Sequence, residues 1–95
     1  MGDARAALGA LRDAETIWQE LEAPYEAART RVLIGRACQE MGDAWEAELD
    51  LVAAGSVFER LGASTDLLQV ERLRRAPAGP PAAGSGSARR RFPAT

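Results

Sequence analysis

The 95-residue chain contains no histidine and no lysine, and it has one cysteine and five aromatic residues. Without histidine, a Ser-His-Asp or Cys-His site for nucleophilic catalysis has no general base. The single cysteine, Cys38, excludes an intrachain disulfide and a cysteine zinc cluster, and it is compatible with a reducing cytoplasm. The segment Gly84-Ser85-Gly86-Ser87 lacks the lysine that follows a phosphate-binding loop. These absences predict a protein that is not an enzyme and that uses no cofactor and no metal ion.

Long apolar runs are also missing. No run approaches the roughly 18 residues that a membrane-spanning helix needs. Asp3, Arg5 and Asp13 interrupt the N-terminal stretch where a signal peptide would place its apolar region. The sequence therefore predicts a cytoplasmic protein.

Charge is distributed unevenly along the chain. Residues 1–71 carry 14 acidic and 6 basic side chains, whereas residues 72–95 carry six arginines and no acid. Such an asymmetry is typical of an interaction tail. Residues 76–95 are rich in Pro, Gly, Ser and Arg, which predicts a disordered linker or tail.

An internal repeat with an offset of 40 residues organises residues 1–75. Residues 1–23 align with residues 41–63 without a gap. The matched pairs include Gly2/Gly42, Asp3/Asp43, Ala7/Ala47, Leu11/Leu51, Ala14/Ala54, Ile17/Val57, Trp18/Phe58 and Leu21/Leu61. Within each copy the apolar positions recur at steps of three and four, which places them on one stripe of an α-helix.

Start and stop signals divide the repeat segment into helices. Asp3 and Asp43 are expected N-caps, Asp43 with Glu46 resembles a capping box, and Pro24 suits a first helical position. The predicted helices cover about 3–22, 24–41, 43–61 and 65–75. Short loops make neighbours antiparallel hairpins, and a 40-residue period predicts that these hairpins stack as a short α-solenoid. The fold class is therefore all-α.

The turn and helix residues resemble a known repeat. At Ile34-Gly35, Gly42, Ala47, Leu51 and Ala54 the sequence is similar to a tetratricopeptide repeat. The resemblance implies paired antiparallel helices that stack into a surface for binding other proteins. Residues 1–75 are accordingly expected to form one tetratricopeptide-like segment.

A narrower resemblance covers residues 10–75, and residues 23–31 carry most of it. This segment is similar to the end of the helical-repeat region in large LuxR-type transcriptional regulators of bacteria. Residues 76–95 resemble the linker before the C-terminal helix-turn-helix domain of that family, but the Leu-Thr-x-Arg-Glu opening of that domain is absent. DNA contact would therefore require the absent domain. Similar repeats occur in other bacterial signalling proteins, which is an alternative parentage.

The register of the copies leads to a hypothesis about completeness. The first helix matches the second half of a hairpin, so the chain is expected to be a fragment or a truncated product. Its first helix should leave an apolar surface uncovered, and self-association through that face is predicted because such repeats need about three units for stability.

Three residues are predicted partner contacts: Trp45, Arg29 and Arg36. For the arginines, the alternative is pairing with Glu22, Glu26 or Glu40 on nearby helix surface, and for Trp45 it is simple packing. Trp18 and Phe58 are expected to pack against the next hairpin, with a role as ligand anchors as the alternative.

The remaining polar and reactive groups have simpler interpretations. Cys38 is expected to be a small core residue rather than a reactive thiol. The pair Glu46/Asp50 is expected to lie on a solvated helix surface rather than in a carboxylate site. The tail residues Arg89, Arg90 and Arg91 are expected to solubilise a linker, and the alternative is contact with nucleic acid phosphates.

Taken together, the sequence predicts a non-catalytic protein-interaction scaffold that contacts another protein or adjoining domains of a parent regulator. The alternative function is a nucleic-acid-binding protein that acts through its arginine-rich tail.

Overall fold

A computed structural model describes residues 3–75 of the chain. Four helices occupy that range: α1 (Ala4–Glu20), α2 (Pro24–Glu40), α3 (Ala44–Leu61) and α4 (Ser64–Arg75). The all-α fold is confirmed, and each helix end lies within two residues of its predicted position. The predicted tail, residues 76–95, lies outside the described residues.

Two aspartates begin the helices of the repeated segment. The Asp3 carboxylate accepts hydrogen bonds from the N–H groups of Arg5 and Ala6, and Asp43 accepts one from the N–H of Glu46. These bonds satisfy N–H groups that have no partner inside the helix. The capping box is only half formed, because the Glu46 carboxylate binds Arg12 instead of the Asp43 N–H.

The three turns have similar backbone geometry. Gly42 and Gly62 close α2 and α3 with φ of 80° and 72°. Glu22 stands at the position of Gly62 in the first copy and has a φ of 56°. A left-handed residue at this place lets the following N–H groups bond back into the helix, as Ala63 does to Phe58. Glycine adopts this conformation without the steric cost that glutamate bears.

The helices stack in sequence order. α1 packs on α2, α2 on α3, and α3 on α4. Polar bonds also join alternate helices: Arg12 of α1 binds Glu46 of α3, and Tyr25 of α2 binds Asp66 of α4. α1 and α3 therefore lie side by side in one layer, α2 and α4 lie in the other, and α1 and α4 form the two ends.

The core divides into two clusters along the stack. The larger cluster joins α2, α3 and α4 through Ala28, Val32, Leu51, Ala54, Phe58 and Val70. The smaller one joins α1, α2 and α3 through Ile34, Cys38 and Ala47, with Leu8 and Leu11 packed against them. The prediction that Cys38 is a core residue is confirmed, since its side chain is fully buried. That burial, with the nearby Asp50 carboxylate, raises the pKa of the thiol.

Gly35 sets the distance between α2 and α3. A Cβ atom at this position would lie 2.8 Å from the Cγ and Cδ2 atoms of Leu51, closer than van der Waals contact allows. Leu51 is 1% exposed. The missing side chain of Gly35 therefore lets the two helices of the hairpin approach closely.

Equivalent positions in the two copies carry different chemistry. Leu8 of α1 packs against the cluster that contains Ile34 of α2. Forty residues on, Glu48 of α3 forms an ion pair with Arg74 of α4. Residues at equivalent positions of the repeat thus form the contact of α1 with α2 and the contact of α3 with α4, but the first contact is apolar and the second is ionic.

Apolar side chains are exposed on the first helix. Ile17 is 54% exposed and Leu21 is 65% exposed, and Ala7 and Ala10 are exposed on the same stripe. The expectation of an uncovered apolar surface on α1 therefore agrees with the exposure of these side chains.

Candidate interaction groove

A groove crosses the exposed face of α2, from Trp18 on α1 to α4. It encloses about 300 Å³. Its lining residues on α2 are Glu26, Arg29, Thr30, Val32, Leu33 and Arg36, and those on the neighbouring helices are Trp18, Phe58, Asp66 and Gln69. This volume lies at the lower limit of small-molecule sites, roughly 300–1,000 Å³. The groove therefore suits side chains of a partner better than a whole cofactor.

Arg29, Leu33 and Arg36 form the exposed ridge of the groove on α2. Steps of four and three place them on one side of the helix, away from Ala28, Val32 and Gly35, which are buried. The two arginines are two turns apart, a rise of about 10 Å. Leu33, which is 47% exposed, lies between them. Two cations thus flank one apolar side chain.

The predicted contacts Arg29 and Arg36 both line the groove. Within residues 3–75 neither forms an ion pair, so pairing with Glu22, Glu26 or Glu40 is not the arrangement found. Arg31, on the same helix, behaves differently and binds Asp50 and Glu15. Cations without a protein partner on an open face are available to an acidic group of a ligand.

The opposite end of the groove is acidic. Glu26 and Asp66 lie there at positions related by the 40-residue offset. The Tyr25 hydroxyl donates a 2.8 Å hydrogen bond to Asp66 Oδ2, which fixes that carboxylate. This bond, with partial burial, raises the pKa of Tyr25. The groove thus has a basic end and an acidic end.

Rigid contacts hold the floor of the groove. Phe58 is 1% exposed, and its ring packs edge-on against the Tyr25 ring, with 5.8 Å between the ring centroids. At the far end of α2, Gln39 Nε2 donates to the Leu73 carbonyl at 2.9 Å. Bonds at both ends of α2 therefore set the spacing between α2 and α4.

A buried ionic cluster braces α2 from behind. Asp50 on α3 is fully buried and accepts from Arg31 Nε at 3.2 Å and from both terminal nitrogens of Arg12 at 3.4 Å. Arg31 also binds Glu15, and Arg12 binds Glu46. The prediction that Glu46/Asp50 forms a solvated surface pair is wrong, because Arg12 crosses from α1 to cover Asp50. This cluster joins three helices and stabilises the stack.

Trp18 and Phe58 combine the two roles that the sequence left open. Phe58 packs in the core between α2 and α4 and also forms the groove floor. Trp18 is half-buried at the other edge of the groove. Trp45 lies elsewhere, at the start of α3, where it is 75% exposed and is not among the residues that line the groove. Its assignment as a partner contact stays a prediction.

Leu33, Asp66 and Gln69 are among the groove residues that were not predicted from the sequence. A signal for Leu33 was present, since it falls between Arg29 and Arg36 on the face opposite the small residues of α2. Asp66 and Gln69 become visible only when α4 is placed beside α2. The predicted nucleic-acid contacts Arg89, Arg90 and Arg91 lie outside the described residues.

The described part of the chain offers no metal-binding group of three or more His, Cys, Asp or Glu side chains. Within residues 3–75, every helix is too short or too polar to cross a bilayer. Searches against protein-family models, curated proteins and solved structures found no match to this chain.

Proposed function

We propose that this chain is a non-catalytic protein-interaction scaffold. Its helical hairpins stack as a tetratricopeptide-like α-solenoid, and the groove across α2 receives a segment of a partner protein. The observation that carries the proposal is the ridge of Arg29, Leu33 and Arg36, two exposed cations on either side of an exposed leucine in the groove. Such a ridge fits an apolar side chain with acidic groups near it.

Preorganisation supports binding rather than catalysis. The bonds of Tyr25 and Gln39 order the α2 and α4 sides of the groove, which lowers the conformational entropy cost of binding a ligand. The ionisable groups around this groove include no histidine, and Cys38 lies in the core. A partner segment would gain from desolvated contact with Trp18 and Leu33 and from charge pairing at the rim.

The proposed setting is the cytoplasm of a bacterium. The resemblance of residues 23–31 to the repeat region of LuxR-type transcriptional regulators supports a role in coupling a signal to a DNA-binding domain. In that setting the occupant of the groove is an adjoining domain of the regulator or a separate protein.

A peptide selection tests the groove. Random peptides displayed on phage are selected on the full chain and counter-selected on the Leu33→Glu/Arg36→Glu double variant. We expect enriched peptides to combine an apolar residue with nearby acids and to lose about tenfold or more in affinity for the double variant, which corresponds to about 1.4 kcal/mol.

Arg60→Glu is the matched control, because Arg60 is an exposed arginine on α3 that does not line the groove. Peptides should bind this variant as they bind the unmodified chain. Peptides that bind the double variant equally well, or a selection with no enrichment, would contradict the proposal. Circular dichroism of each variant confirms that the helices are retained.

A further inference from the structure

Within residues 3–75 the two end helices of the stack, α1 and α4, have exposed outer faces whose chemistry matches. α1 is equivalent to α3 by the 40-residue offset, and α4 occupies the place of α2 in the next hairpin. The described chain therefore begins with the second helix of a hairpin and ends with the first helix of another. We propose that copies of this chain associate head to tail, with α4 of one copy and α1 of the next completing a hairpin like that of α2 and α3.

The contact between α1 and α3 within one copy provides the template for this association. Arg12 points from α1 toward α3 and binds Glu46 and Asp50 there. In the proposed assembly, the same contact recurs between α3 of one copy and α1 of the next. The offset then places Val52 at the position of Arg12, and Ala6 and Ala10 at the positions of Glu46 and Asp50.

Both members of this contact change from ionic to apolar together. Val52 is 45% exposed, and Ala6 and Ala10 are exposed. A valine alone on one side would have faced two carboxylates, one of them at the fully buried position of Asp50, and two alanines alone would have left an arginine unpaired, either of which is costly. The two open ends therefore complement each other and differ from the internal contact that they replicate.

Other exposed apolar side chains lie on the same two ends. We call the surface of α1 that includes Ala6, Ala10, Ile17 and Leu21 the leading face. The trailing face consists of Val52 on α3 and Leu68 on α4, and Leu68 is 48% exposed at the position of Ala28. Ala28 packs in the α2/α3 hairpin, so Leu68 is placed to pack against the leading face of a second copy.

A two-fold pairing of α1 with its own copy fits less well. The stripe Ala7, Ala10, Ala14, Ile17 and Leu21 has coiled-coil spacing, and Asp13 and Glu20 flank it on one side. In an antiparallel pair those flanking acids would face the same acids of the partner. A heterologous contact avoids this repulsion, and it leads to open chains or rings rather than to closed dimers.

Two arginines of α4 limit the strength of its contact with α1 of the next copy. Arg75 stands where Gly35 allows α3 to approach α2, and Arg72 stands in place of the buried Val32. Long side chains at these two positions hold α4 and α1 farther apart than α2 and α3. The association is therefore expected to be weaker than an internal hairpin contact and to depend on protein concentration.

Sedimentation of blocked variants tests the polarity of the assembly. Ile17→Glu blocks the leading face, and Val52→Glu blocks the trailing face. The unmodified chain should form species larger than dimers as its concentration rises, and each variant alone should stay monomeric. A mixture of the two variants should give a dimer and nothing larger, because one leading face and one trailing face remain intact.

A second pair of substitutions tests the register. Val52→Arg should weaken association about tenfold or more, and adding Ala6→Glu to the same chain should restore it by recreating the Arg12–Glu46 pair between copies. Fluorescence of the Trp45→Phe chain follows Trp18, which should shift to the blue as it takes the buried position of Phe58.

Each result of these experiments has one interpretation. A chain that remains monomeric at its highest soluble concentration would overturn the proposal. A mixture of the two blocked variants that stays monomeric would also overturn it. A Val52→Glu variant that dimerises on its own would show a two-fold contact through α1 instead, and failure of Ala6→Glu to restore association would contradict the proposed register. None of the substituted residues lines the groove on α2, so failure of this proposal and failure of the proposed function can be distinguished.

Discussion

At the scale of single residues, the two copies of the repeat form the same turn with different amino acids at the left-handed position. Gly62 and Glu22 both adopt a left-handed backbone conformation. For a residue with a Cβ atom this conformation costs roughly 1–2 kcal/mol. Glu22 is therefore a local weakness that the second copy does not share.

Replacement of Glu22 by glycine should stabilise the chain by about 1 kcal/mol or less, because glycine removes the strain but gains entropy in the unfolded state. The change is measured by thermal or urea unfolding of the full chain. Glu22→Ala is the control, and it should give no comparable gain because alanine keeps the Cβ atom. A destabilised Glu22→Gly variant would show that the glutamate side chain outweighs the strain.

Tyr25 provides a titration at the groove. It is the only tyrosine, so its ionisation can be followed directly by absorbance. Its pKa is raised in the folded chain, first by the bond to Asp66. A raised pKa means that this contribution to stability is complete below about pH 10, the ordinary tyrosine value, and is lost as pH rises through the folded value.

We therefore expect the free energy of unfolding to fall more steeply above about pH 10 in the unmodified chain than in Tyr25→Phe. In Asp66→Asn, the tyrosine pKa should move back toward its ordinary value. Identical alkaline profiles for the unmodified chain and Tyr25→Phe would show that the hydroxyl does not couple α2 to α4.

At the scale of helices, periodicity was sufficient to place every element in the described range. Steps of three and four, together with Asp3, Pro24 and Gly62, predicted the ends of the helices closely. The buried Asp50 was not predictable in this way, because a carboxylate on a helix resembles surface until its partners are known. Arg12 lies 38 residues away from it, on a helix that only the stack brings near.

The candidate groove shows the same division. Arg29 and Arg36 were identified because they lie on one helix, where spacing determines their side. The acidic end and the floor depend on how α1, α3 and α4 are placed around α2, which spacing alone does not determine. The predicted contact Trp45 lies outside the matched pairs of the repeat, and its 75% exposure leaves it available without placing it in the groove.

Gly35 makes the approach of two helices testable. Gly35→Ala should destabilise the chain by about 1–2 kcal/mol. The added methyl group would overlap Leu51, and the free-energy cost of that overlap exceeds the gain in helix propensity. Gly9→Ala is the matched control, because no atom lies within 4 Å of its added Cβ. That change should stabilise α1 by up to about 1 kcal/mol. Equal effects at both positions would mean that α2 and α3 do not pack closely at Gly35.

At the scale of the whole molecule, stability should be greatest in the middle of the stack. α1 and α4 each contribute one buried side chain, Glu15 and Val70. α2 and α3 bury most of the core between them. End helices with so little buried apolar surface open at a lower free energy than the centre.

Hydrogen exchange at low protein concentration checks this distribution. Amides of α2 and α3 should exchange most slowly, through unfolding of the entire chain, and those of α1 and α4 should exchange through local opening. Uniform protection across the four helices would contradict this prediction and would show that the stack unfolds as one cooperative unit.

The apolar pair Leu8/Ile34 and the ion pair Glu48/Arg74 occupy equivalent positions in the two copies, and this difference also affects how the chain folds to its native topology. Two similar helices in one chain can compete for the same neighbour, which produces kinetic traps and exchange of segments between molecules. If α1 took the position of α3 beside α4, Leu8 would face Arg74, and Glu48 would be left opposite Ile34. Each wrong arrangement leaves a charged side chain against an apolar one, so the mismatch destabilises the misassembled order of helices relative to the native order.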